Sequence, residues 1–537
     1  MKSHWLKKVR VAISLLFLIF ISLLFLDYRR MIPTNLFGTV LYLQFIPSLL
    51  KFFTVLKVTV TGFAVVIILT LLFGRIYCST ICPLGILQDV TAWIARKFKS
   101  KRKARYHYQK AKDILRYPIL GLTAIALVFG STYLLLLLDP YTNFGRILTY
   151  FVKPLLVGVN NLISPVLAGR NIYFLYPVDI PPVKAAVYFV PAVILGLVMW
   201  LSVTRGRLYC NTVCPVGAFL GLLSKFALFR FRLNTTTCTG CHLCEFSCKS
   251  QCIDLVSMTV DDSRCVACFD CLSSCKFGAI NFTVRKPVKT TPLFETARPA
   301  GKKTQKISPD HDPGKRVFIL GSLAFLAGMT GMAKEKEYPK NAKPTTIPEE
   351  KKFPVSPPGS LGLRHFTDRC TACSLCIDAC PTDVLQPAFL QYGLAGIMQP
   401  TMDYHSGYCN YDCVRCTEAC PTGAILPLNP EAKKTVQMGL AKFVKENCVV
   451  YTDETNCGAC AEHCPTKAVH MIPYKADLVI PETTDDLCIG CGACEHACPT
   501  TPFKAIYVDG NEIHKLAKKP KEEKLKNPLE GTEDFPF

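Results

Sequence analysis

The chain has 537 residues, a length that fits three or four domains, and 50% of its residues are hydrophobic. Apolar runs dominate about the first 230 positions, whereas polar sequence rich in Cys and Pro dominates the rest, so we predict a membrane part joined to soluble parts. The net charge of +22 does not predict nucleic-acid binding. The densest basic run, residues 96–112, lies between two apolar segments, where cytoplasmic loops of membrane proteins carry Lys and Arg.

Four apolar runs predict membrane helices, at residues 11–26, 52–73, 117–138 and 185–203. The first run is short for a span and also fits a signal-peptide core. Because Asp27 follows it, and not a small-residue cleavage site, we expect a retained helix. Basic residues flank the start of the first and third helices and the end of the second and fourth, which predicts a cytoplasmic N-terminus.

The predicted membrane part, residues 1–231, is an internal duplication. Residues 75–87 are RIYCSTICPLGIL, and residues 207–220 are RLYCNTVCPVGAFL. Two halves of the same orientation pack as parallel repeats about an axis along the membrane normal. We therefore expect two cysteine pairs to face each other at one depth. The pairs are Cys78 with Cys82 and Cys210 with Cys214.

Two interpretations of these four cysteines stay open. Pairs at i and i+4 on neighbouring helix ends put four sulfurs within reach of one another, which predicts a seventh metal or iron–sulfur site, or a redox dithiol pair. Alternatively, they are small buried residues before the prolines that end each helix. The broken apolar segments 31–51 and 144–169 are predicted to be interfacial or re-entrant pieces on the outer face, or simple connectors. As interfacial pieces they could shape a site for a lipid-soluble ligand.

A compact cysteine-rich unit is predicted at residues 232–283. It has two C-x2-C-x2-C-x3-C runs, the bacterial ferredoxin spacing, in which three thiolates bind one cluster and the fourth crosses to the other. We assign one [4Fe–4S] cluster to Cys238, Cys241, Cys244 and Cys275, and a second to Cys265, Cys268, Cys271 and Cys248. Cys252 is left over and is predicted to be a packed side chain. Lys249 and Lys276 stand where Pro usually follows the fourth cysteine.

A second cysteine-rich domain is predicted at residues 361–511. Four runs end in Cys-Pro and provide sixteen cysteines, enough for four more [4Fe–4S] clusters and six in all. The second run is stretched by one residue, and the third begins with a remote cysteine. We prefer a nested pairing of the first run with the fourth and the second with the third. The quartets are then Cys370, Cys373, Cys376 and Cys498; Cys409, Cys413, Cys416 and Cys464; Cys448, Cys457, Cys460 and Cys420; and Cys488, Cys491, Cys494 and Cys380.

The remaining segments complete a multi-domain chain, with an α-helical membrane bundle and two α+β ferredoxin-like domains. Residues 284–316 and 333–360 are predicted linkers, rich in Lys and Pro. Residues 317–332 form a fifth apolar run, predicted to be a membrane helix or an anchor resembling an export signal. Residues 512–537 are a charged tail that we expect to be disordered.

The first 280 residues resemble the NapH-type membrane polyferredoxins, through four helices, two C-x3-C-P motifs and a two-cluster ferredoxin. NosR and the reductive-dehalogenase accessory membrane proteins share that core. Residues from 314 onward resemble NapG/MauM-type ferredoxins, through Pro357-Pro358-Gly359, the four Cys-Pro runs and CPTGA at residues 420–424. That family carries a twin-arginine export signal, which residues 314–320 match except at Lys315. The chain thus resembles a fusion of two proteins that act together.

The resemblance implies electron transfer from membrane quinol to a periplasmic acceptor, such as a nitrate reductase system. We expect a protein of the inner membrane with its first ferredoxin in the cytoplasm. The C-terminal domain is periplasmic if residues 317–332 cross the membrane, and cytoplasmic if they lie at the interface. The expected partners are the quinol pool and a reductase or cytochrome.

The sequence predicts no independent substrate site, and quinol dehydrogenase activity is left open. No Gly-rich phosphate loop follows a strand, and no nucleophile–base constellation stands out. The alternative from another class is an assembly or regulatory factor, which uses its clusters to mature or re-reduce a partner metalloenzyme.

Overall fold

The computed structural model describes residues 3–55, 61–100, 105–179, 183, 185–284, 344–475 and 477–520. These residues form two compact units. The first unit takes its described residues from Met1–Ile19, Ala64–Leu122 and Pro154–Pro339, and the second takes them from Phe20–Phe63, Thr123–Lys153 and Lys340–Phe537. The predicted fifth apolar run at 317–332 and the segment resembling an export signal lie outside the described residues.

The N-terminal half is helical. Its helices are α1 (Ser3–Leu26), α2 (Asn35–Leu41), α3 (Phe45–Val55), α4 (Gly62–Phe73), α5 (Tyr77–Thr80), α6 (Pro83–Phe98), α7 (Asp113–Val128), α8 (Tyr133–Leu138), α9 (Pro140–Ile147), α10 (Lys153–Ala168), α11 (Phe189–Arg205), α12 (Leu208–Thr212) and α13 (Pro215–Ser224). A wide π turn at Leu148–Val152 joins α9 to α10, and a 3-10 turn at Ala185–Tyr188 precedes α11. Among the described residues, three helical stretches are long and apolar enough to cross a membrane: Trp5–Leu26, Pro140–Ala168 and Ala185–Arg205.

The predicted helix over residues 52–73 is wrong as one element. The chain leaves α3 at Val55 and is non-helical at Thr61 before α4 begins. Gly62 packs directly on the carbonyl of Tyr42, where any Cβ would collide, and the Phe63 amide donates to the Ser48 hydroxyl at 2.8 Å. These contacts fix the start of α4 beside the turn before α3, and an apolar run alone does not reveal them.

The predicted helix over residues 117–138 is also divided. Helix α7 ends at Val128, and Gly130 follows with a φ of +81°. The Gly130 amide donates to Leu127 and the Ser131 amide to Ala126, which satisfies carbonyls at the helix end. Glycine makes this left-handed stop possible without strain, although its neighbours are apolar.

Residues 144–169 are not broken as expected, because the described structure is helical from Pro140 to Ala168. Their position as interfacial or re-entrant pieces on the outer face, or as simple connectors, stays a prediction. Asp139 begins the stretch, because its carboxylate accepts the Thr142 amide at 2.8 Å. The π turn at Leu148–Val152 falls just before Pro154. A wide turn accommodates a proline that lacks the amide proton of a regular helix.

The first ferredoxin region contains two antiparallel hairpin-like sheets. Strand β1 (Phe229–Leu233) pairs with β4 (Ile280–Val284), and β2 (Ile253–Asp254) pairs with β3 (Thr259–Val260). Two short helices lie between them, α14 (Leu243–Ser247) and α15 (Asp270–Ser274). The predicted start at residue 232 is therefore too late, since β1 begins at Phe229 and its whole length is held by β4.

The C-terminal region combines short helices with three two-stranded antiparallel sheets. The strands are β5 (Leu385–Pro387) with β6 (Pro400–Met402), β7 (Val436–Phe443) with β10 (Ile506–Leu516), and β8 (Val469–Pro473) with β9 (Val479–Thr483). The helices are α16 (Leu363–Arg369), α17 (Leu375–Ala379), α18 (Arg415–Ala419), α19 (Pro430–Lys433), α20 (Val449–Thr452), α21 (Ala459–Glu462) and α22 (Ala493–Ala497). Leu394–Gly396 and Lys445–Asn447 are 3-10 turns.

Both predicted boundaries of this domain need correction. Residues 344–360, predicted to be linker, are bound to the domain: the Thr345 amide donates to Thr501, and the Met402 amide donates to Val355. Residues 512–516, predicted to be tail, belong to β10 because Lys515 and Leu516 pair with β7. Main-chain hydrogen bonds attach both segments to the domain, and amino-acid composition does not predict such bonds.

Candidate cysteine sites

Four of the six soluble cysteine motifs turn in the same way before their third cysteine. The residue preceding the short helix that carries this cysteine has a positive φ. These residues are His242 (57°), Phe269 (61°), Ser374 (70°) and Gly492 (75°). The two motifs with altered spacing have Val414 and Gly458 at this place, with φ of −121° and −128°. Regular C-x2-C-x2-C spacing thus builds a left-handed turn over the site, and the altered spacings replace it.

The first ferredoxin gathers its cysteines as the spacing predicts. Four of them line one cleft, together with Leu233, Phe277 and Ile280: Cys238, Cys241, Cys244 and Cys275. Burial raises the pKa of the Cys271 thiol well above its ordinary value, and three neighbouring thiols raise it further: Cys268, Cys265 and Cys248. The structure therefore forms both crossed quartets.

The nested pairing predicted for the C-terminal domain is wrong. One cleft is lined by Cys380, Cys409, Cys413 and Cys416, and another by Cys448, Cys457, Cys460 and Cys498. Burial raises the pKa of the Cys376 thiol, and the thiols of Cys370, Cys373 and Cys420 raise it further, with a smaller effect from Cys416. The corresponding neighbours of Cys494 are Cys491, Cys488 and Cys464. The first run therefore exchanges its fourth cysteine with the second run, and the third run with the fourth.

Helix packing explains this pairing. Helix α17 packs on α18, and α21 packs on α22. Each helix ends one or two residues before the fourth cysteine of its run, so that cysteine extends into the cleft of the helix it packs against. The nested arrangement would need α17 beside α22. We call the first pair of runs module A (residues 370–420) and the second pair module B (residues 448–498).

The quartets suit a multi-iron cluster better than a single zinc ion. Zinc–sulfur bonds of about 2.3 Å hold the sulfurs of a tetrahedral site about 3.8 Å apart. Among the described residues, one group of three or more His, Cys, Asp or Glu side chains has its ligand atoms within 4.8 Å of one another. It consists of Glu349, His405 and Glu495 and contains no cysteine. Each cysteine of a [4Fe–4S] cluster binds a different iron, so a wider quartet is what that cofactor requires.

Sequence reasoning missed four threonine hydroxyls beside the C-terminal quartets. Each lies two residues after a fourth cysteine, and its oxygen is close to that sulfur. The pairs are Thr382 with Cys380 at 3.7 Å, Thr422 with Cys420 at 3.6 Å, Thr466 with Cys464 at 3.7 Å, and Thr500 with Cys498 at 3.2 Å. The fourfold repeat of Cys-Pro-Thr in the sequence could have revealed them. Hydrogen bonds to ligating sulfurs tune the potential of an iron–sulfur cluster.

Cys252 is buried, as predicted, and it also touches a quartet. Its sulfur lies 3.6 Å from that of Cys248, and it forms a hydrogen bond with Cys265 as well. Both neighbours belong to the same quartet. The hydrogen bond from Cys252 lowers the pKa of the Cys248 thiol to about 7. Cys252 is thus a donor placed against a site, and not merely a small side chain in the core.

The two membrane motifs come together in the first unit. Cys78, Cys82, Cys210 and Cys214 are all buried. Burial raises the pKa of the Cys82 thiol well above its ordinary value, and Cys210 and Cys78 raise it further. Thiols from both repeats are therefore close enough to interact. The Gln88 amide also reaches the Cys210 sulfur, at 3.3 Å.

Each repeat has a buried arginine that donates a hydrogen bond to the cysteine motif of the other repeat. Arg75 of the first motif donates to the Cys210 carbonyl at 3.0 Å, and Arg207 of the second donates to the Cys78 carbonyl. A Cβ on Gly217 would strike the Cys210 carbonyl, and a Cβ on Gly85 would strike that of Cys78. Gly85 in α6 and Gly217 in α13 therefore allow each of these helices to pack closely on the cysteine motif of its own repeat. The duplication read in the sequence is thus a duplicated set of contacts.

Lys249, which departs from the expected Pro, joins the first ferredoxin to the membrane motif. Its ammonium lies 3.3 Å from Asp89 and 3.0 Å from Asp270. Asp89 also pairs with Arg10 at 2.6 Å and with Arg207 at 2.8 Å. The Lys249 carbonyl accepts the Arg207 amide at 3.1 Å. A proline at this position would keep the carbonyl but remove the ion pairs.

In the second unit, helix α9 and the turn after it seat the first C-terminal quartet. Arg146, fully buried, donates to the carbonyls of Ala372 at 2.9 Å and Thr371 at 3.2 Å. Lys153 and Thr149 both bond to Asp378, each at 2.6 Å. The loop between Cys370 and Cys376 therefore rests on a stretch that is apolar enough to span a membrane.

Comparison with known proteins supports iron–sulfur chemistry in both units. Residues 57–101 and 188–235 match a 4Fe-4S binding domain, and residues 369–424 and 455–502 match a 4Fe-4S dicluster domain. The second match covers module A and all of module B except residues 448–454, and it groups the runs in the same pairs as the geometry does. The chain is related to ferredoxin-type proteins. No solved structure matches it.

Three relatives illustrate the two halves. An uncharacterised protein of Methanocaldococcus jannaschii is 27% identical over 41% of this chain and 76% of its own length. The putative electron transport protein YccM of Escherichia coli is 23% identical over 42% of the chain and 56% of its own length. The methylamine utilization ferredoxin-type protein MauM of Methylobacillus flagellatus is 34% identical over 25% of the chain and 60% of its own length. The matches support an iron–sulfur electron-transfer role, and together with the apolar helices they support a redox role in association with a membrane.

Proposed function

We propose that this protein is a membrane-bound carrier that passes electrons between the quinol pool and a periplasmic reductase or cytochrome. The observation that carries the proposal is the gathering of twenty-four cysteines into six quartets. Each quartet would hold one [4Fe–4S] cluster, which supplies one-electron oxidation and reduction. The quinol and the acceptor come from the resemblance to NapH-type and NapG/MauM-type proteins.

The protein itself supplies position and shielding at these sites. The quartets are largely buried among apolar residues, and a protected cluster is less open to solvent and to oxidation. Threonine hydroxyls and Cys252 provide donors to the sulfurs. Arg146 and Lys249 tie the cysteine loops to helices.

We propose that the four membrane cysteines hold a seventh metal or iron–sulfur centre. Arg75 and Arg207 are buried at their motifs, where a site of several thiolates would need positive charge nearby. Arg75 also approaches the Cys78 sulfur at 3.8 Å. If these cysteines only fill space, Asp89 is the one carboxylate that pairs with either of the two buried guanidiniums in the part of the chain that the structure describes.

We propose that the first ferredoxin lies in the cytoplasm and the C-terminal domain in the periplasm. The basic residues that flank the predicted membrane helices favour a cytoplasmic N-terminus. In the first unit, Lys7 near the start of α1 pairs with Asp270 of the first ferredoxin at 2.9 Å, which favours the same side for that domain. Export of the C-terminal domain comes from the resemblance of residues 314–320 to an export signal.

Metal analysis and quinol reduction of the purified protein test the function. We expect about 24 iron and 24 sulfide per chain from six clusters, more if the membrane cysteines hold iron, and bleaching of the cluster absorption by a quinol analogue under anaerobic conditions. Zinc in place of iron would refute the proposal. Full iron without quinol reduction, together with a partner enzyme that lacks its cofactor in a deletion strain, would favour the assembly factor.

Two further measurements test the finer parts. External protease should remove a tag placed after Pro520, beyond the end of β10, in intact spheroplasts, and protection of that tag would refute the periplasmic location. Cys210→Ser should remove the extra metal or slow quinol-driven reduction while all six soluble clusters remain. If neither changes, the membrane cysteines serve packing alone.

A further inference from the structure

We infer that the four quartets of the C-terminal domain are connected in the order first, second, fourth and third, and not in chain order, with Tyr404 at the junction of the two modules. This inference rests on the proposed function, since it concerns cysteines proposed to hold clusters. It also identifies the quartet of Cys448, Cys457, Cys460 and Cys498 as the terminal one.

The junction joins a ligand of the second run directly to a ligand of the fourth. The Cys409 amide donates to the Cys491 carbonyl at 2.9 Å. A bonded route between the two modules therefore runs from one proposed ligand through a single main-chain hydrogen bond to another.

The two hydrophobic cores of the domain give the same order. Module A has one core, and Cys491 of the fourth run belongs to it, together with Ile489 and Ala493. The other core contains Cys448 and Cys460 of the third run, with Cys488, Cys494 and Cys498. The fourth run thus contributes cysteines to both cores, whereas the buried cysteines of the third run belong to one.

Tyr404 fills the space between the second and fourth runs. It is 1% exposed, and its hydroxyl donates to the Gly490 carbonyl at 2.5 Å. Its own carbonyl bonds with the His496 ring at 3.0 Å. Gly492, next to Cys491, packs on the Tyr404 ring so closely that no Cβ fits. Tyr404 therefore positions the fourth run against the second.

The ends of the series differ in their surroundings. The first quartet is seated on Arg146, within the apolar stretch Pro140–Ala168. The third run begins with a spacing of eight residues between Cys448 and Cys457, and residues 451–456 of this insertion are all exposed. The remote first cysteine of the third run thus leaves an open surface beside the terminal quartet, where a soluble partner can approach.

Electron paramagnetic resonance of the reduced full-length protein tests the order, because neighbouring reduced clusters split or broaden each other's signals. Three variants, Cys413→Ala, Cys457→Ala and Cys494→Ala, should each lose about four iron and remove the second, third and fourth cluster respectively. We expect Cys494→Ala to abolish the magnetic interaction of the second cluster with module B, and Cys457→Ala to leave it intact. Loss of that interaction in Cys457→Ala alone would establish chain order and overturn the inference.

The cysteine variants could misfold, so a second test uses a substitution that leaves every proposed ligand in place. Tyr404→Phe should weaken the same interaction at full iron content, because the hydroxyl that fixes Gly490 is lost. The matched control is Tyr392→Phe, which removes the hydroxyl of a half-buried tyrosine, bonded to Pro400 at 3.2 Å within module A. Equal spectra for the two variants and the wild type would count against the role of Tyr404. A wild-type chain without iron would instead refute the proposed function.

Discussion

The guanidinium of Arg75 donates a hydrogen bond to the main-chain carbonyl of Cys210, 135 residues away in the chain, at 3.0 Å. Arg207 returns the same contact to Cys78. Each repeat therefore completes the cysteine motif of the other, so neither half can form this site alone. In both repeats a glycine, Gly85 or Gly217, must lie close to the cysteine motif for these contacts to form, and this requirement can be tested by substitution.

Gly217→Ala should destabilise the membrane cysteine site. The new Cβ would lie 2.8 Å from Arg75 Nη2 and would also strike the Cys210 carbonyl, so the buried main chain must move. Overpacking of this kind costs about 1–3 kcal/mol. We expect a lower Tm for the detergent-solubilised protein. Gly196→Ala is the control, because a Cβ there meets nothing within 4 Å; an equal loss in both variants would contradict the prediction.

Cys252→Ala should lower the midpoint potential of the cluster held by the quartet of Cys248. The thiol of Cys252, 3.6 Å from that sulfur, donates a hydrogen bond that stabilises the more negative, reduced cluster. Cys252→Ser keeps a donor and should remain nearer to the wild type. Redox titration monitored by electron paramagnetic resonance measures both, and a loss of iron in Cys252→Ala would mean that this cysteine is itself a ligand.

Thr422→Val should act in the same direction on the cluster of the first C-terminal quartet. The hydroxyl lies 3.6 Å from the Cys420 sulfur, and valine has the same shape without the donor. The cluster should become harder to reduce, whereas Thr422→Ser should titrate close to the wild type. An unchanged potential in the valine variant would show that the repeated Cys-Pro-Thr threonines serve the backbone only.

Asp89→Asn should cost stability at neutral pH and little in acid. Burial by itself would raise the pKa of the Asp89 carboxyl, but Arg207, Lys249 and Arg10 lower it well below its ordinary value. Because the folded pKa is below the unfolded value of about 3.9, the stabilisation is present above about pH 4 and is lost as the pH falls through the folded pKa. Breaking a buried pair costs about 3–5 kcal/mol.

Melting temperatures measured from pH 7 downward check this prediction. The gap between wild type and Asp89→Asn should narrow as the pH falls below about 4. Glu431→Gln removes a carboxylate that is 66% exposed from its pair with Lys434, and it should change Tm little at any pH. A gap for Asp89→Asn that stays constant with pH would show that the substitution acts through packing.

The sequence alone predicts iron–sulfur chemistry and the duplication of the N-terminal half. Twenty-four cysteines at ligand spacing predict six quartets whatever the packing, because three thiols on one short loop are close by chain connectivity alone. The crossed pairs of the first ferredoxin follow from its regular spacing, and the structure brings together Cys275 with Cys238, as predicted. The repeated motifs around Cys78 and Cys210 likewise predicted that the two pairs would meet.

Only the tertiary structure decided which fourth cysteine enters which cleft. Cys420 and Cys498 are each equally far along the chain from their own loops, so spacing cannot distinguish a nested from a neighbouring exchange; the packing of α17 on α18 and of α21 on α22 does. The helix breaks at Gly62 and Gly130 also depend on contacts and backbone geometry that an apolar run does not encode. Local spacing fixes ligands within a loop, whereas contacts between loops depend on surfaces that exist only after folding.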